Sequence, residues 1–422
     1  MAWDFETEPA FALELEWIDR FVREEVEPLD HVLGSPWDIH SQGFQALVRP
    51  LQRIVKERGL WACHLGPELG GQGFGQVKLA LMNEIIGRSE FAPIVFGAQA
   101  PDSGNSEILA HYGTAAQKAR YLEPLLANDI VSCFAMTEPQ GGADPKQFTT
   151  RARRDGEQWV LTGEKWFASN ARYADFFIVM AITDPDVTVY RGATMFLVPA
   201  DTPGVRILRN AGCADGEQTH AYIAFDHVRL EQDSVLGEVG EAFTVAQVRL
   251  GGGRVHHAMR VIGQAGKALD ALCERALSRT TQGSLLADKQ MVQERIADSW
   301  IELEQFRLLV MRTAWRIDKY QDYQKVRKDI SAVKAAMPKV LHDIAARALH
   351  IHGSIGASNE MPFANLVNRA FQMGLADGPT EVHKVTVAKQ LLREYQPCSD
   401  LFPAYHRPTA QAAAREKFKA VL

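Results

Sequence analysis

The sequence has few cysteines, no paired-cysteine motif and no long apolar run. Its five cysteines are scattered through 422 residues, and no CxxC pair occurs. This spacing argues against a disulfide framework or a zinc site and is typical of a reducing compartment. No apolar stretch approaches the roughly 18 residues that cross a membrane. The first residues, MAWDFETEPAF, show no signal-peptide pattern. We therefore expect a cytoplasmic protein without a membrane span, although a matrix enzyme that has lost its transit peptide would look the same.

An excess of basic residues is also missing. The chain has 46 Lys and Arg against 52 Asp and Glu, which gives a net charge of -6. Binding of nucleic-acid phosphates needs a clustered basic face, so this balance argues against a nucleic-acid partner. The hydrophobic content of 46% over this length is enough for two or three domains rather than one.

Three signature motifs are absent. There is no GxGxxG between a strand and a helix, no GxxxxGK followed by Ser or Thr, and no GxSxG. These absences argue against a Rossmann dinucleotide site, a P-loop and an α/β-hydrolase nucleophile. His350 and His352 lie two residues apart, and His256 and His257 are adjacent without an evident third ligand. We therefore predict no metal site.

The spacing of apolar residues divides the chain into three parts and a tail. Spacings of three and four residues predict a helical domain over residues 1–130. Short apolar runs bounded by glycine or proline predict a β-domain over residues 131–240. Helical stripes return over residues 241–395 and predict a bundle, and residues 396–422 form a predicted tail.

Individual elements are predicted within these parts. Asp155-Gly156 is a turn between two strands, and Phe176 to Ile182 is an apolar run short enough to be a buried strand. In the third part, one apolar stripe passes through Trp300 and Leu303. Pro338 lies inside the next stripe, so we expect a kink in that helix.

A glycine-containing loop opens the predicted β-domain. Residues 134–144, FAMTEPQGGAD, combine a hydroxyl, small side chains and two adjacent glycines. Such a loop lets backbone N–H groups approach a phosphate or a flat ring. A plain turn between a helix and a strand is the alternative interpretation.

This loop resembles the TEP-x-x-G-S-D signature of the acyl-CoA dehydrogenases. Further segments resemble the family in the same order over about residues 10–395. They are Gly104-Asn105-Ser106-Glu107-Ile108-Leu109, Gly163-Glu164-Lys165-Trp166, His352-Gly353-Ser354-Ile355-Gly356, and Leu375 to His383 at the place of the catalytic Y-E-G-T stretch. Arg254-Val255-His256-His257 most resembles the branch of family members ten and eleven. The resemblance implies an α+β fold with an N-terminal helical domain, a central small β-barrel-like domain and a C-terminal four-helix bundle.

The resemblance also implies non-covalent FAD, held without a Rossmann fold. Met136 and Thr137 then line the isoalloxazine ring, Trp166 packs on one of its faces, and Ala168 stands where a residue that approaches flavin N5 is usual. Arg279 takes the place of an arginine, on a helix, that reaches the FAD pyrophosphate of a neighbouring subunit, which implies a homodimer or homotetramer. The other positions implied to contact the cofactor are Phe134, Gly142, Ala143, Ser169, His350, Gly353, Ser354, Gly378 and Thr380.

The implied reaction is the α,β-dehydrogenation of an acyl-CoA to a 2-enoyl-CoA, as in fatty-acid β-oxidation, with electron-transfer flavoprotein as acceptor. Asp377 takes the place of the carboxylate that removes the α-proton, while a hydride passes to flavin N5. We expect desolvation to raise the pKa of this carboxylate. Arg254 and Gly378 are implied substrate-binding positions. The alternative base position in the family, the residue before Arg254, is Gly253, which cannot act.

Two alternative functions are compatible with the same fold. A flavin oxidase, either an acyl-CoA oxidase or a nitroalkane oxidase with an Asp base at this position, is the nearer alternative. A DNA-associated flavoprotein is the more distant one, and the acidic chain with few basic residues after position 407 argues against it. Acyl chain length, branching, a sterol or hydroxyacyl preference, and dimer against tetramer stay open at this point.

Overall fold

The N-terminal part of the chain is helical in a computed structural model, which describes residues 5–67, 71–212, 219–398, 401–403 and 405–422. Short π and 3-10 segments extend the first helix and join the others. Residues 70–75 form a glycine-rich stretch, GGQGFG, of which Gly70 lies outside the described residues. The helices are α1 (Pro9–Phe21), α2 (Arg49–Glu57), α3 (Gly75–Ile86), α4 (Ala92–Val95), α5 (Asp102–Tyr112), α6 (Ala115–Gln117) and α7 (Glu123–Ala127).

A seven-stranded sheet follows. The strand order is β1-β4-β2-β3-β7-β6, and β5 pairs with β4. The predicted turn at Asp155-Gly156 is confirmed, since Asp155 pairs with Gln158 across an antiparallel hairpin. The elements are β1 (Ser132–Ala135), β2 (Arg151–Asp155), β3 (Gln158–Ser169), β4 (Phe176–Ile182), α8 (Val189–Gly192), β5 (Ala193–Pro199), β6 (Val205–Ala211) and β7 (His220–Leu230).

Long helices form the C-terminal part. Pro338 lies inside α11, as its apolar stripe predicts, and the helix continues past it to His352. Trp300 departs from the predicted apolar stripe: it is 58% exposed, whereas Leu303 is buried. The elements are α9 (Ala242–Ser278), β8 (Thr280–Thr281), β9 (Ser284–Leu285), α10 (Gln290–Tyr320), α11 (Arg327–His352), α12 (Ser354–Ala357), α13 (Phe363–Leu375), α14 (Thr380–Leu392) and α15 (Arg407–Lys417).

Helix α9 is the central scaffold, and glycines let α3 cross it closely. A Cβ at Gly263 would lie 2.1 Å from the carbonyl oxygen of Glu84. A Cβ at Gly87 would lie 2.3 Å from the carbonyl oxygen of Arg260. Neither position has room for a side chain, so the N-terminal domain packs directly against the C-terminal helices. No helix in the described part of the chain is long and apolar enough to span a membrane.

Candidate functional site

The predicted base lies in the short loop between α13 and α14. Asp377 has a φ of 54° and Gly378 a φ of 101°, so two successive residues adopt left-handed backbone conformations. Aspartate occurs in this region several-fold more often than most non-glycine residues. The loop therefore suits Asp better than the longer Glu that the family resemblance leads one to expect.

Two side chains fix the backbone of this loop. Nε of Arg254 donates to the carbonyl oxygen of Asp377 at 2.9 Å, and Nε2 of His383 donates to the same oxygen at 3.2 Å. The N-cap of α14 is Pro379, and no side chain caps this helix end. Asp377 is thus held in place without acting as a helix cap, and Arg254 is a positioning group for it.

The carboxylate of Asp377 faces α9. A Cβ at Gly253 would lie 3.6 Å from Asp377 Oδ2, so the two base positions that the family resemblance offers converge on one place. Nε2 of His257 lies 3.9 Å from the same oxygen. Among the residues that the structure describes, the carboxylate accepts no hydrogen bond. It is therefore free to receive a proton.

The electrostatics of Asp377 correct one expectation. Burial by itself raises its pKa, but the groups around it outweigh burial, so the pKa lies below its ordinary value. Desolvation does not dominate here because several cations converge on a single carboxylate. The imidazole of His257, when protonated, contributes most to this lowering, followed by the cations Arg249, Arg254 and Lys334.

Lys334 and Arg249 bring distant parts of the chain to this carboxylate. Nζ of Lys334, on α11, donates to the carbonyl oxygen of Met373 at the end of α13. Nε of Arg249 donates to Asn105 Oδ1 on α5 at 2.8 Å. The Arg249 guanidinium also lies 4.1 Å from the ring centroid of Phe134 on β1. Arg249 thereby joins all three parts of the fold beside the base.

A second carboxyl group, that of Glu107 on α5, lies against the same stretch of α9. A Cβ at Gly252 would lie 3.1 Å from Glu107 Oε2 and 3.3 Å from the hydroxyl oxygen of Tyr323. Burial raises the pKa of Glu107 to about 7, against the hydrogen bond to Tyr323 and the charge of Arg249. The sequence reasoning missed Glu107 as a site residue. The signal was the run of three glycines at 251–253, since helix interiors disfavour glycine unless other groups approach closely.

Contacts with β3 hold the loop that follows β1. Glu138 and Lys165 form an ion pair of 2.8 Å, with side chains 1% and 0% exposed. Nζ of Lys165 also donates to the carbonyl oxygen of Met136 at 2.8 Å, and the Trp166 backbone N–H donates to that of Thr137 at 2.9 Å. The hydroxyl of Thr137 has no partner within the described ranges. The loop is therefore rigid at its backbone and leaves one hydroxyl available.

Strand β3 carries a bulge next to this loop. Its pairing with β7 shifts register between Lys165 and Ala168. Phe167 in the bulge has a φ of 51° and is 52% exposed. The Trp166 ring is stacked on Phe167 at 4.9 Å, and the Arg209 guanidinium lies 4.7 Å from its centroid. Ala168, the next residue, is buried among the apolar side chains of the β-domain core. Phe167 is the aromatic residue that sequence reasoning missed.

The remaining predicted cofactor positions form two distant groups. Gly142, with a φ of 46° and open space around it, and the exposed Ala143 lie by the Thr137 loop. Ser169 pairs with His220, and Thr380 donates to Gly374. The exposed residues His350, Gly353 and Ser354 lie at or just beyond the C-terminal end of α11.

Arg279 belongs to that second group. It is exposed and is the C-cap of α9, one residue beyond the helix in which it was expected. Because α10 reverses the chain, α9 and α11 end on the same side of the bundle. At 1.5 Å per residue, Arg279 lies about 39 Å along α9 from Gly253. A single chain therefore does not bring Arg279 and Asp377 to one ligand.

Three family models match the chain in order. They are the N-terminal, middle and C-terminal domains of acyl-CoA dehydrogenase, over residues 14–129, 133–228 and 240–392. The chain belongs to the acyl-CoA dehydrogenase family. It is an FAD-dependent oxidoreductase with the fold of that family.

Individual relatives agree with the family models. The chain is 37% identical to the probable acyl-CoA dehydrogenase FadE2 of Mycobacterium tuberculosis, over 93% of this chain and 94% of that one. It is 38% identical to acyl-CoA dehydrogenase family member 11 of Rattus norvegicus over 89% of this chain, and spans about half, 50%, of that longer relative. A solved structure from Mycobacterium abscessus, assigned to the acyl-CoA dehydrogenases, is 36% identical with a TM-score of 0.86 and covers 93% of this chain and 100% of that one.

The residues present fit FAD. Trp166 Nε1 is buried without an acceptor among the described residues. Phe167 offers an exposed flat ring, and open backbone at Gly142 and Gly353 suits close approach of a phosphate or a ring. No cluster of three or more metal-ligating side chains occurs in the described part of the chain.

Proposed function

We propose that the protein dehydrogenates an acyl-CoA thioester to a 2-enoyl-CoA with Asp377 as the α-proton base. The observation that carries this proposal is the Asp377 carboxylate, which is free of hydrogen-bond donors, fixed by its backbone and turned toward the glycine face of α9. Bound FAD supplies the acceptor for the hydride that leaves the β-carbon. Asp377 takes up the α-proton and becomes neutral, while Arg254 keeps the loop in register.

We assign the ring end of the cofactor to the Thr137 loop and the β3 bulge. The Trp166 backbone N–H donates to the Thr137 carbonyl oxygen and so joins these two segments, and Phe167 and Ser169 both contact His220. Phe167 takes the ring-packing role first given to Trp166, because Phe167 and Arg209 already cover the Trp166 ring. The separation of Arg279 from this place supports a shared site in which a second copy contributes the pyrophosphate contacts, with Gly353, Ser354 and His350 beside Arg279.

Anaerobic titration of the FAD-reconstituted protein with acyl-CoA thioesters tests the function. Saturated acyl-CoA should bleach the oxidised flavin band, and a screen of acyl groups with an artificial acceptor should identify the substrate. Slow reoxidation in air supports a dehydrogenase that passes electrons to electron-transfer flavoprotein, whereas rapid reoxidation identifies an oxidase. A protein that shows no flavin band at any FAD concentration, or that retains FMN instead, contradicts the proposal.

Arg279→Ala should weaken FAD binding by about one to two decades, because a charge-assisted hydrogen bond to phosphate is lost. Arg279 makes no ion pair or side-chain hydrogen bond within the described ranges, so the change should not affect folding of the single chain. The dissociation constant from flavin fluorescence, compared with that of Arg415→Ala in α15, measures the effect.

Exposed apolar residues near this end of the bundle support the assembly. Leu277, Met291 and Trp300 are all more than half exposed, and a second copy that packs on them would remove this apolar surface from water. Light scattering should give a homodimer or a tetramer. A monomer that binds FAD tightly would contradict the shared site.

A further inference from the structure

Arg260 is a buried cation without an anionic partner. Its side chain is on α9 and the residue is only 9% exposed. Nε donates to the carbonyl oxygen of His256 at 3.3 Å, which is a weak contact within the same helix. No carboxylate lies within ion-pair distance of its guanidinium in residues 5–67, 71–212, 219–398, 401–403 and 405–422. Buried charges are normally paired, so this one is an exception that needs a physical reason.

The surroundings of Arg260 are polar but carry no negative charge. Nε2 of His64 is 3.3 Å from the Ser106 hydroxyl, and Nε2 of His256 is 3.2 Å from Gln76 Oε1. Burial and the charge of Arg260 lower the pKa of His64 to about 4, and burial and the same charge lower that of His257 to about 4. These imidazoles are therefore neutral at physiological pH. Burial alone lowers the pKa of Arg260 to about 10, so the guanidinium stays charged.

Arg260 lies on the same face of α9 as the residues that contact Asp377, further toward the C-terminal end of the helix. Gly253, His257 and Arg260 follow one another at spacings of four and three residues, which places them on one side of α9. At 1.5 Å per residue the guanidinium-bearing residue is about 10 Å along the helix from Gly253. Long side chains in helices lean toward the N-terminus, so Arg260 leans back toward Asp377. His257, 3.9 Å from Asp377 Oδ2, lies between the two.

We propose that Arg260 recognises a carboxylate at the distal end of the acyl group, so that the protein acts on ω-carboxyacyl-CoA thioesters. The inference rests on the proposed function, because it takes Asp377 to mark the α-carbon. An anion on the substrate would supply the partner that Arg260 lacks, and arginine binds carboxylates through two parallel hydrogen bonds. A separation of about 10 Å between the base position and Arg260 matches a medium-length acyl chain. The neutral imidazoles of His64 and His256 add hydrogen-bonding capacity without repelling the carboxylate.

Matched ligand pairs test this inference by calorimetry. Adipoyl-CoA is compared with hexanoyl-CoA, and suberoyl-CoA with octanoyl-CoA, on the FAD-loaded Asp377→Asn protein, in which turnover should be at least about 100-fold slower. In this protein the ω-carboxyl member of at least one pair should bind more tightly than its plain partner. Adding Arg260→Met should reduce that preference by about 10- to 100-fold, the loss typical of a charged hydrogen bond. Adding Arg260→Lys should keep part of it, because the charge is retained.

The controls separate recognition from folding and from the proposed function. Arg275→Met, near the far end of α9, should leave the preference unchanged. The melting temperature of the ligand-free Arg260→Met protein should not fall, because an unpaired buried cation is removed. A large fall, or a preference that Arg260→Met does not change, overturns the inference. Flavin bleaching of the unmutated protein by any acyl-CoA is scored separately, and its failure would overturn only the proposed function, since the calorimetry needs no turnover.

Discussion

Asp377→Asn should reduce the rate of flavin bleaching by acyl-CoA at least about 100-fold, the usual loss when a general base is removed. The substitution keeps the shape of the side chain, and asparagine also tolerates the φ of 54° at this position. The variant should therefore fold, keep FAD and still bind acyl-CoA. Stopped-flow absorbance of the flavin measures the rate, and equilibrium titration measures binding. An unchanged rate would remove Asp377 from the mechanism.

A relocated base provides the matched control. Gly253 has space for a side chain, and its Cβ would lie 3.6 Å from Asp377 Oδ2. In a Gly253→Glu, Asp377→Gly double variant, a carboxylate returns to nearly the same place from the other side. This variant should recover part of the lost rate, whereas Asp377→Gly alone should not. Recovery distinguishes a missing base from a distorted loop.

The pH dependence follows from the direction of the pKa shift. Because the surrounding charges hold the pKa of Asp377 below its ordinary value, the carboxylate is already ionised at neutral pH and stays so on mild acidification. The fall of kcat/KM on acidification, its acid limb, should therefore begin well below neutral pH if protonation of Asp377 causes it. Lys334→Met removes one of the cations and should move that limb to higher pH.

Lys165→Met should lower the free energy of unfolding by roughly 3–5 kcal/mol, the cost of leaving one member of a buried ion pair without its partner. The pair is 2.8 Å long, and its side chains are 0% and 1% exposed. Methionine preserves the length of the chain but leaves Glu138 charged inside the protein. It also removes the donor to the Met136 carbonyl, so FAD binding should weaken. Denaturant unfolding of the FAD-free protein measures the stability, because bound FAD would mask part of the loss.

An exposed ion pair in the same domain provides the comparison. Arg229 and Asp155 are 2.9 Å apart, with side chains 60% and 59% exposed. Arg229→Met should cost no more than about 1 kcal/mol, since water screens such pairs. Adding Glu138→Gln to Lys165→Met should restore part of the stability, because the unpaired charge is gone. If Lys165→Met proves as mild as Arg229→Met, the buried pair does not hold the loop at residues 134–144.

The amino-acid sequence by itself determined the elements that depend on neighbouring residues. The turn at Asp155-Gly156, the buried strand from Phe176 and the long helices of the third part follow from turn chemistry and apolar periodicity, which act over a few residues. The order of the segments that resemble the family was sufficient to predict the fold, the FAD cofactor and an acidic residue at Asp377 as the candidate base.

Other features depend on contacts between residues that are far apart in the sequence, so they follow only from the tertiary structure. Asp377 is held by Arg254, 123 residues away in sequence, and the sign of its pKa shift depends on how many cations the fold brings to it. Phe167 is exposed and Ala168 is buried because the register of β3 shifts at the bulge. The spacing of apolar residues in the sequence does not reveal such a shift. Trp300 follows a helical stripe yet stays exposed, because periodicity predicts a face but not whether another surface covers it.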